Sequence, residues 1–423
     1  MEADRIPGAM RHAIWWHLYP LGFTGAPPTM DPGAPSAHRL GRVEAWLDHA
    51  RSLGANGIQL GPVFRSATHG YDTLDHFRVD PRLGDQADFS HLVDQCHRRG
   101  MRVMCDGVFN HISRDHPLAR RARCEGPDSD AGRMIAWDAG ASGGPRPRVF
   151  EGHDILVELD HSSPAVVDLV ARVMEHWCSL GVDAWRMDAA YAVPPSFWAR
   201  VLQRVRGRFP RVLAIGEVIH GDYAAIVEES TLDSVTQYEL WKAIWSSIES
   251  RNLFELDWAF QRHNAFLGSF VPTTFVGNHD VTRIASRVGG EGAAVAAAIL
   301  LASGGMPVIY AGDELAMTGV KEDRPGGDDA VRPEFPDRPA AMPPDAQGAR
   351  MMRRYQDMVG LRRRHPWLVR AATVSRELAN EHAVWEVSGS GEGQRLLLEV
   401  DLGGPEPRAR VLDAGGVLFD TAR

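Results

Sequence analysis

The chain has 423 residues, of which 44% are hydrophobic and 24% are charged, and its formal net charge is -9. This length suits one large α/β domain with a smaller addition, and the composition is that of an ordinary globular protein. No block of like charge concentrates the acidity, so a nucleic-acid-binding surface and a polyanionic substrate are disfavoured, whereas a neutral substrate is allowed.

The sequence predicts a cytoplasmic protein that stays off membranes. Its first ten residues include acids and lack the apolar stretch of a secretory signal. We find no apolar run near the ~18 residues that a membrane-spanning helix needs. The cysteines are too few for a disulfide scaffold at this length, so we expect reduced thiols at Cys96, Cys105, Cys124 and Cys178.

Amphipathic segments that end in glycine are each followed at once by a short apolar segment. The pattern occurs at residues 52–61, 98–107 and 179–188, and in a looser form at 303–314. Glycine favours the left-handed end of a helix, and connections from a helix to the next strand are short. Strands that alternate with helices in this way predict a parallel β/α architecture.

Eight strand candidates can be counted, which fits a closed (β/α)8 TIM barrel better than an open sheet. The helix before the fourth is the clearest, with Ser163 as a candidate N-cap and Pro164 in its first position. The candidate strands are Ile14–Leu18, Gly57–Leu60, Arg102–Asp106, Val182–Asp188, Val212–Glu217, Ser234–Val235, Thr273–Val276 and Val308–Tyr310.

Two stretches do not follow this alternation of helices and strands. A long polar insertion between His111 and Asp160 predicts a small subdomain after the third strand. After about His365, short β-like runs at Ala383–Val387, Arg395–Val400 and Arg410–Leu412 replace the helical pattern. We therefore predict a barrel over residues 1–111 and 161–364, an inserted subdomain over 112–160, and a short C-terminal β-sheet domain over 365–423.

Polar residues cluster at the ends of five predicted elements. They occur in DGVFNH (106–111), AWRMD (184–188), GE (216–217), GNHD (277–280) and HGYDT (69–73). Taken singly, each is more often a helix cap, a satisfied histidine or a structural ion pair. In a (β/α)8 barrel, however, the active site is built at the carboxyl ends of the strands. Five such ends together indicate one common site.

Two carboxylates on neighbouring strands suggest glycoside chemistry. Arg186 and Asp188 are two residues apart, so both side chains point to the same face of their strand, and the arginine is expected to keep Asp188 ionised. Adjacent parallel strands lie about 4.8 Å apart, which places Asp188 beside Glu217. Carboxylates about 5 Å apart cleave glycosides with retention, one as nucleophile and one as proton donor. The apolar run before Glu217 favours its protonated form, and Asp280 is a third carboxylate suited to stabilising charge.

These motifs resemble those of the α-amylase family, glycoside hydrolase family 13. The segments DGVFNH, GVDAWRMDAA, GEVI and FVGNHD match the spaced motifs of that family in order, and flanking matches extend from about residue 14 to about residue 368. The resemblance implies that Asp188 is the nucleophile, Glu217 the general acid/base and Asp280 the transition-state stabiliser. It also implies a set of substrate-binding side chains, Tyr71, Asp72, His111, Arg186 and His279.

The chain departs from the family pattern just after Asp188. Many amylases have a Lys-His pair there that serves long α-glucans, whereas this chain has Ala189, Ala190, Tyr191 and Ala192. Long polymers are therefore not expected as preferred substrates, and Ala189 resembles α-1,4-specific rather than α-1,6-specific members. Asn110 matches a position that is a calcium ligand in many members, with a loop-fixing amide as the alternative. No cofactor is expected for the chemistry itself.

The nearest resemblance is to the cyclomaltodextrinase- and neopullulanase-like members, which are intracellular. The leading hypothesis is a retaining hydrolase of α-1,4-glucosidic bonds in short or cyclic maltooligosaccharides, which are neutral substrates. The alternative is a transglycosylase or isomerase on the same barrel, active on sucrose or trehalose. A carbohydrate-binding protein without turnover is disfavoured because Asp188 and Glu217 are both present. The sequence carries no signal for the oligomeric state or for exo or endo action.

Overall fold

The computed structural model describes residue 8 and residues 11–138, 144–324 and 326–423. Its central sheet has eight parallel strands, which lie in the order β6-β5-β4-β3-β2-β1-β8-β7. These strands are β1 (Trp15–Leu18), β2 (Gly57–Leu60), β3 (Arg102–Gly107), β4 (Ala184–Met187), β5 (Leu213–Gly216), β6 (Ser234–Val235), β7 (Thr273–Phe275) and β8 (Met306–Tyr310).

A parallel bridge between Thr236 and Thr273 joins the two ends of this sheet and closes it. The predicted (β/α)8 barrel is therefore confirmed, and no end of a predicted strand differs from the observed end by more than two residues. The strands are short and, apart from the half-buried Arg102, fully buried, because a barrel sheet is covered on its outside by helices and filled on its inside by side chains.

Helices surround the barrel and alternate with its strands, and one further helix, Pro117–Glu125, lies in the insertion between β3 and β4. These helices are α1 (Pro20–Phe23), α2 (Leu40–Ala45), α3 (Leu47–Leu53), α4 (Gln86–Arg98), α5 (Pro117–Glu125), α6 (Pro164–Ser179), α7 (Pro195–Arg208), α8 (Tyr223–Ser230), α9 (Tyr238–Ser250), α10 (Phe254–Ser269), α11 (Ile284–Ala302) and α12 (Ala346–Arg364).

Alternation along the strands divides the hydrophobic core in two. Trp15 points into the barrel, where it belongs to the same cluster as Met104 and Val308. Its neighbour Trp16 points outward and stacks on Trp46, with ring centroids 6.5 Å apart. Successive side chains of a strand face opposite sides of the sheet, so one tryptophan fills the barrel while the next binds the helical layer.

The start of α6 confirms the sequence pattern with one correction. Ser163 has extended backbone at the N-cap position and Pro164 occupies the first helical position, as predicted. The Ser163 side chain makes no capping hydrogen bond, however, so its hydroxyl does not cap the helix. The helix ends before Gly181, whose φ of 100° requires glycine.

Between β3 and β4 the chain leaves the barrel and folds into a small insertion. His111–Ser113 pairs antiparallel with Leu156–Glu158, and Trp137–Asp138 pairs with Arg146–Pro147. The insertion also holds α5 and a 3-10 turn at Phe150–Gly152. Residues 139–143 of the predicted subdomain lie outside the described residues. The boundaries 112–160 stay a prediction.

The C-terminal region is an antiparallel sheet of five strands in sequence order. They are β9 (Ala372–Leu378), β10 (His382–Ser388), β11 (Arg395–Asp401), β12 (Arg408–Asp413) and β13 (Gly416–Asp420). The sequence predicted only β10, β11 and β12. The two missed strands are the edges of the sheet, where side chains are mostly exposed and the apolar alternation that identifies a strand is weak.

Trp385 ties this sheet to the barrel, and we expect its loss to destabilise the protein. Its buried indole packs on Phe260 and donates a 2.9 Å hydrogen bond to Asp257. Trp385→Ala should lower the free energy of unfolding by about 3–5 kcal/mol, because it opens a cavity at a buried site. Urea unfolding followed by circular dichroism measures this change. The exposed Val374→Ala serves as the control, and equal midpoints for both variants would contradict the expectation.

One helix among the described residues, α11, is long and apolar enough to cross a membrane by length and composition alone. The sequence predicted no membrane span, and the charged residues Arg287 and Glu291 lie within this helix. Most of α11 is buried inside the protein, where it packs as a core helix. The prediction of unpaired thiols is confirmed, since all four cysteines are free.

Candidate active site

Asp188 and Glu217 lie opposite each other at the carboxyl ends of β4 and β5. The parallel register pairs Met187 with Gly216, and continuing it by one residue brings the two acids level. The amide of Glu217 donates to the carbonyl of Met187, so the hydrogen bonding between the two strands continues beyond their last residues. Both acids are nearly buried. The fold therefore brings together the two carboxylates that the sequence singled out.

Arg186 connects three carboxylates at the top of the barrel. Its Nη1 donates to Asp188 Oδ1 at 2.9 Å and to Asp106 Oδ2 at 3.2 Å, and its Nη2 forms an ion pair with Glu217 Oε1. From the sequence, Arg186 was predicted to pair with Asp188 alone. The wider set arises because the register places Asp106 of β3 opposite Arg186.

Three buried carboxylates share this single guanidinium. Burial raises the pKa of Asp188 well above its usual range, Arg186 opposes this shift as expected, and the charges of Glu217 and Asp106 add to it. Burial likewise raises the pKa of Asp106. Arg186 is therefore the group that favours the ionised form of Asp188, which a nucleophile requires.

Asp280 has a different environment from the other acids. Its Oδ1 accepts a 2.7 Å hydrogen bond from Arg332, and its Oδ2 lies 3.0 Å from His279 Nε2. Burial opposes ionisation, but the charges of His279 and Arg332 hold the pKa of Asp280 well below its usual range. The site thus contains one carboxylate whose pKa is lowered beside two whose pKa values are raised, a separation typical of acid/base active sites.

Nothing in the sequence indicated that Arg332 belongs to the site. We expect this residue to determine the lowest pH at which the enzyme is active. It lies in the loop between β8 and α12, where it also donates to the carbonyl of His279 and stacks over Tyr19. Because Arg332 lowers the pKa of Asp280, Arg332→Met should raise that pKa and move the acid limb of the kcat/KM profile to higher pH. Arg332→Lys keeps the charge and should restore part of the shift. An acid limb that stays in place in Arg332→Met would contradict this role.

Tyr71 and His279 form one side of the site with Tyr19. The His279 ring lies nearly parallel to both tyrosine rings, at centroid distances of 5.6 Å from Tyr71 and 5.8 Å from Tyr19. The Tyr71 hydroxyl donates to Asp106 at 3.0 Å and also hydrogen-bonds with His279. These contacts fix both rings next to the acids. The sequence predicted Tyr71 and His279 as substrate contacts and gave Tyr19 no role.

Asp72 and His111 hold the loops that frame the site. Both carboxylate oxygens of Asp72 accept hydrogen bonds from Thr68, one from its amide at 3.0 Å and one from its hydroxyl at 2.7 Å. His111 Nε2 lies 3.1 Å from the carbonyl of Tyr71. Burial lowers the pKa of His111 to about 3, so this ring is neutral. The predicted binding of sugar hydroxyls by Asp72 stays a prediction.

Two hydrogen bonds of Glu217 were not predicted from the sequence. Its Oε2 accepts a 2.9 Å hydrogen bond from the amide of Ala189, and its Oε1 accepts one from the hydroxyl of Tyr238 at 3.2 Å. Ala189 has a φ of 46°, a strained conformation for a residue with a side chain. This turn directs its N–H at Glu217. A pattern of residue types does not reveal such backbone geometry.

Among the described residues, Asn110 does not belong to a cluster of three or more acidic, histidine or cysteine ligand atoms. Calcium takes six to eight oxygen ligands, usually with several carboxylates. Within the described ranges, the one group of three or more acidic, histidine or cysteine ligand atoms is His38, Asp85 and Asp88, which is mostly exposed. Asn110 is buried and its amide lies 3.2 Å from His111 Nδ1, which is the contact of a loop-fixing amide. A structural calcium ion stays a prediction.

The fold and the site define an enzyme class, that of (β/α)8 barrels whose carboxylates meet at the carboxyl ends of the strands. The catalytic-domain model of the alpha-amylase family matches residues 40–384. The chain belongs to the alpha-amylase family.

The chain is similar to proteins named cyclomaltodextrinase and maltogenic amylase. A cyclomaltodextrinase of Geobacillus thermopakistaniensis (strain MAS1) is 28% identical over 429 residues, which cover 94% of this chain and 70% of the relative. An intracellular maltogenic amylase of Bacillus subtilis is 27% identical over 351 residues, which cover 75% of this chain and 58% of the relative. The chain thus spans well under the full length of these relatives.

A solved structure shares the architecture over nearly the whole chain. It is the cyclic alpha-maltosyl-(1-->6)-maltose hydrolase of Arthrobacter globiformis in complex with cyclic alpha-maltosyl-(1-->6)-maltose, with a TM-score of 0.81 and 22% identity. The match covers 98% of this chain and 99% of that one. At this identity the likeness concerns the fold.

Proposed function

We propose that the protein is a retaining α-glucoside hydrolase that cleaves α-1,4-glucosidic bonds in short or cyclic maltooligosaccharides. The observation that carries this proposal is the placement of Asp188 and Glu217 on the two terminal nitrogens of one guanidinium, level with each other on adjacent strands. Such closeness suits direct attack by a carboxylate, whereas an inverting enzyme needs a wider gap that admits water.

In the first step, a carboxylate oxygen of Asp188 attacks the anomeric carbon while the carboxylic acid of Glu217 protonates the leaving glycosidic oxygen. The C–O bond breaks, a glycosyl ester of Asp188 forms, and the shortened sugar leaves as an alcohol. In the second step, Glu217 takes a proton from water, and the resulting oxygen attacks the anomeric carbon and frees Asp188. Two inversions at one carbon give net retention.

The surrounding residues support both steps. Arg186 fixes the orientation of Asp188 and Glu217, and the amide of Ala189 holds Glu217 Oε2. We assign to Asp280 the stabilisation of the positive charge that develops on the sugar ring, and this is supported by Arg332, which favours the ionised carboxylate. The residue assignments rest on this geometry and on the family resemblance.

Short or cyclic substrates are supported by the names of the relatives, since both a cyclomaltodextrinase and a maltogenic amylase cover most of the chain. The residues after Asp188 support the same choice because they lack the Lys-His pair of many polymer-active members. We also propose that the protein acts inside the cell, as the name of the Bacillus subtilis relative states for that protein.

Glucosyl transfer or isomerisation is the second candidate. The glycosyl ester of Asp188 is the same in both cases, and the acceptor that intercepts it decides the product. Asp188 and Glu217 are both buried, and this favours the second candidate because restricted entry of water gives a sugar acceptor more time to react.

Product analysis tests the proposal. The protein is incubated with maltose, maltotriose, β-cyclodextrin, starch, sucrose and trehalose, and the products are separated by chromatography. We expect free glucose and maltose from maltotriose and β-cyclodextrin, with slower release from starch. New glucosides or sugar isomers in place of shorter free sugars would instead support the transferase, and no turnover of any α-glucan would contradict the proposal.

A further inference from the structure

A short segment of the insertion lies across the carboxyl ends of β3 and β4, and we call residues 149–153 the strap. Phe150 stacks on His111, with ring centroids 4.9 Å apart and 18° between the planes. Glu151 Oε1 accepts a 2.6 Å hydrogen bond from the hydroxyl of Tyr191. His111 follows β3 and Tyr191 follows β4, so the strap is fastened at both of these neighbouring strand ends.

The backbone of the strap makes a tight reversal at its centre. Glu151 has a φ of 49° and Gly152 a φ of 77°, both in the left-handed region. Glycine adopts this region freely, but a residue with a side chain meets steric resistance there. Such a conformation persists where other contacts hold it. In this turn, the side chain of Glu151 accepts the hydrogen bond from Tyr191, and this contact stabilises the unfavourable backbone conformation.

The strap lies on the leaving-group side of the site. The amide of Tyr191 donates to the carbonyl of Glu217 at 3.1 Å, which places Tyr191 directly beside the predicted proton donor. The group that departs carries the oxygen that Glu217 protonates, so it lies on this same side. The ring of His220, in the loop after β5, adds to the wall with its centroid 5.5 Å from that of Tyr191.

We propose that the Glu151–Tyr191 contact limits the length of the leaving group, and that these two residues set the preference for short over polymeric α-glucans. The inference rests on the proposed hydrolysis of α-glucans and adds the residues that determine its chain-length specificity. A leaving group of one or two sugars ends before the strap, whereas a continuing linear chain must displace it. Glu151 is exposed and Tyr191 is half-buried, so the contact can open without unpacking the core.

Two variants break the contact from its two ends. Tyr191→Phe removes only the hydroxyl, and Glu151→Ala removes the acceptor. Each should raise the ratio of kcat/KM for amylose to kcat/KM for maltotriose by about tenfold, the change expected when one hydrogen bond to a charged group is lost. The double variant should show the same ratio as either single variant, because all three lose one and the same contact.

The control is Asp154→Ala, which removes an equal charge from an exposed position three residues further along the insertion. It should leave the ratio at the wild-type value. An unchanged ratio in Tyr191→Phe and Glu151→Ala, effects that add in the double variant, or a wild-type protein that already cleaves amylose as well as maltotriose would overturn the inference while the proposed hydrolysis stands. A wild-type protein that cleaves neither substrate would overturn the proposed function and this inference with it.

Discussion

Asp188→Ala should lower kcat on maltotriose by at least about 10⁴-fold, because it removes the atom that forms the covalent intermediate. The loss should fall on kcat rather than on KM, since the remaining side chains still bind the sugar. Measuring initial rates by the release of reducing sugar over a range of maltotriose concentrations separates the two constants. Circular dichroism of the variant should match that of the wild type, because Asp188 lies at a strand end and not in the hydrophobic core.

The matched control for this change lies at the opposite end of the same strand. Asp183 precedes β4 and holds Arg102, His97 and the amide of Val103. Residues at that face of a barrel support stability rather than chemistry. Asp183→Asn should therefore lower the melting temperature and leave kcat near the wild-type value. A kcat in Asp188→Ala within tenfold of the wild type would show that Asp188 is not the nucleophile.

Glu217→Gln should lower kcat on maltotriose by about 10²–10⁴-fold, the usual contribution of a positioned acid/base group. The loss should depend on the leaving group. Fluoride departs without protonation, so α-maltosyl fluoride should still glycosylate Asp188 in this variant. We expect a burst of fluoride release, followed by slow turnover because the group that deprotonates water is also absent. Rapid mixing with a fluoride electrode measures both phases.

This experiment separates the roles of the two acids. Asp188→Ala should give no burst with α-maltosyl fluoride, since no nucleophile remains. Glu228→Gln, an exposed change on α8 just after β5, is the control and should behave as the wild type. Equal losses of activity by Glu217→Gln on maltotriose and on the fluoride would contradict the assignment of Glu217 as the proton donor.

The barrel and its acids were predictable because each depends on local signals that repeat. Helices that end in glycine and are followed by apolar strands predict the β/α units. The polar residues at the ends of those strands are recognisable because the strands themselves are apolar. The spacing of two between Arg186 and Asp188 was enough to place both side chains on one face. The pairing of Asp188 with Glu217 then followed from the geometry of adjacent parallel strands.

The remaining features of the site depend on long-range contacts or on backbone conformation. Arg332 contacts Asp280 across 52 residues of sequence, from a loop that has no periodic pattern. Ala189 and Glu151 matter because of their left-handed backbone, which their residue types do not suggest. The full set of partners of Arg186 was not predicted, because its contacts with Asp106 and Glu217 appear only in three dimensions.

The most direct test of the account is the anomeric configuration of the sugar that is released first. Proton nuclear magnetic resonance of maltotriose hydrolysis, recorded before mutarotation, distinguishes the α from the β anomer. Double displacement through Asp188 predicts that the new reducing end appears as the α anomer. First appearance of the β anomer would show single displacement by water and would contradict the roles assigned to Asp188 and Glu217.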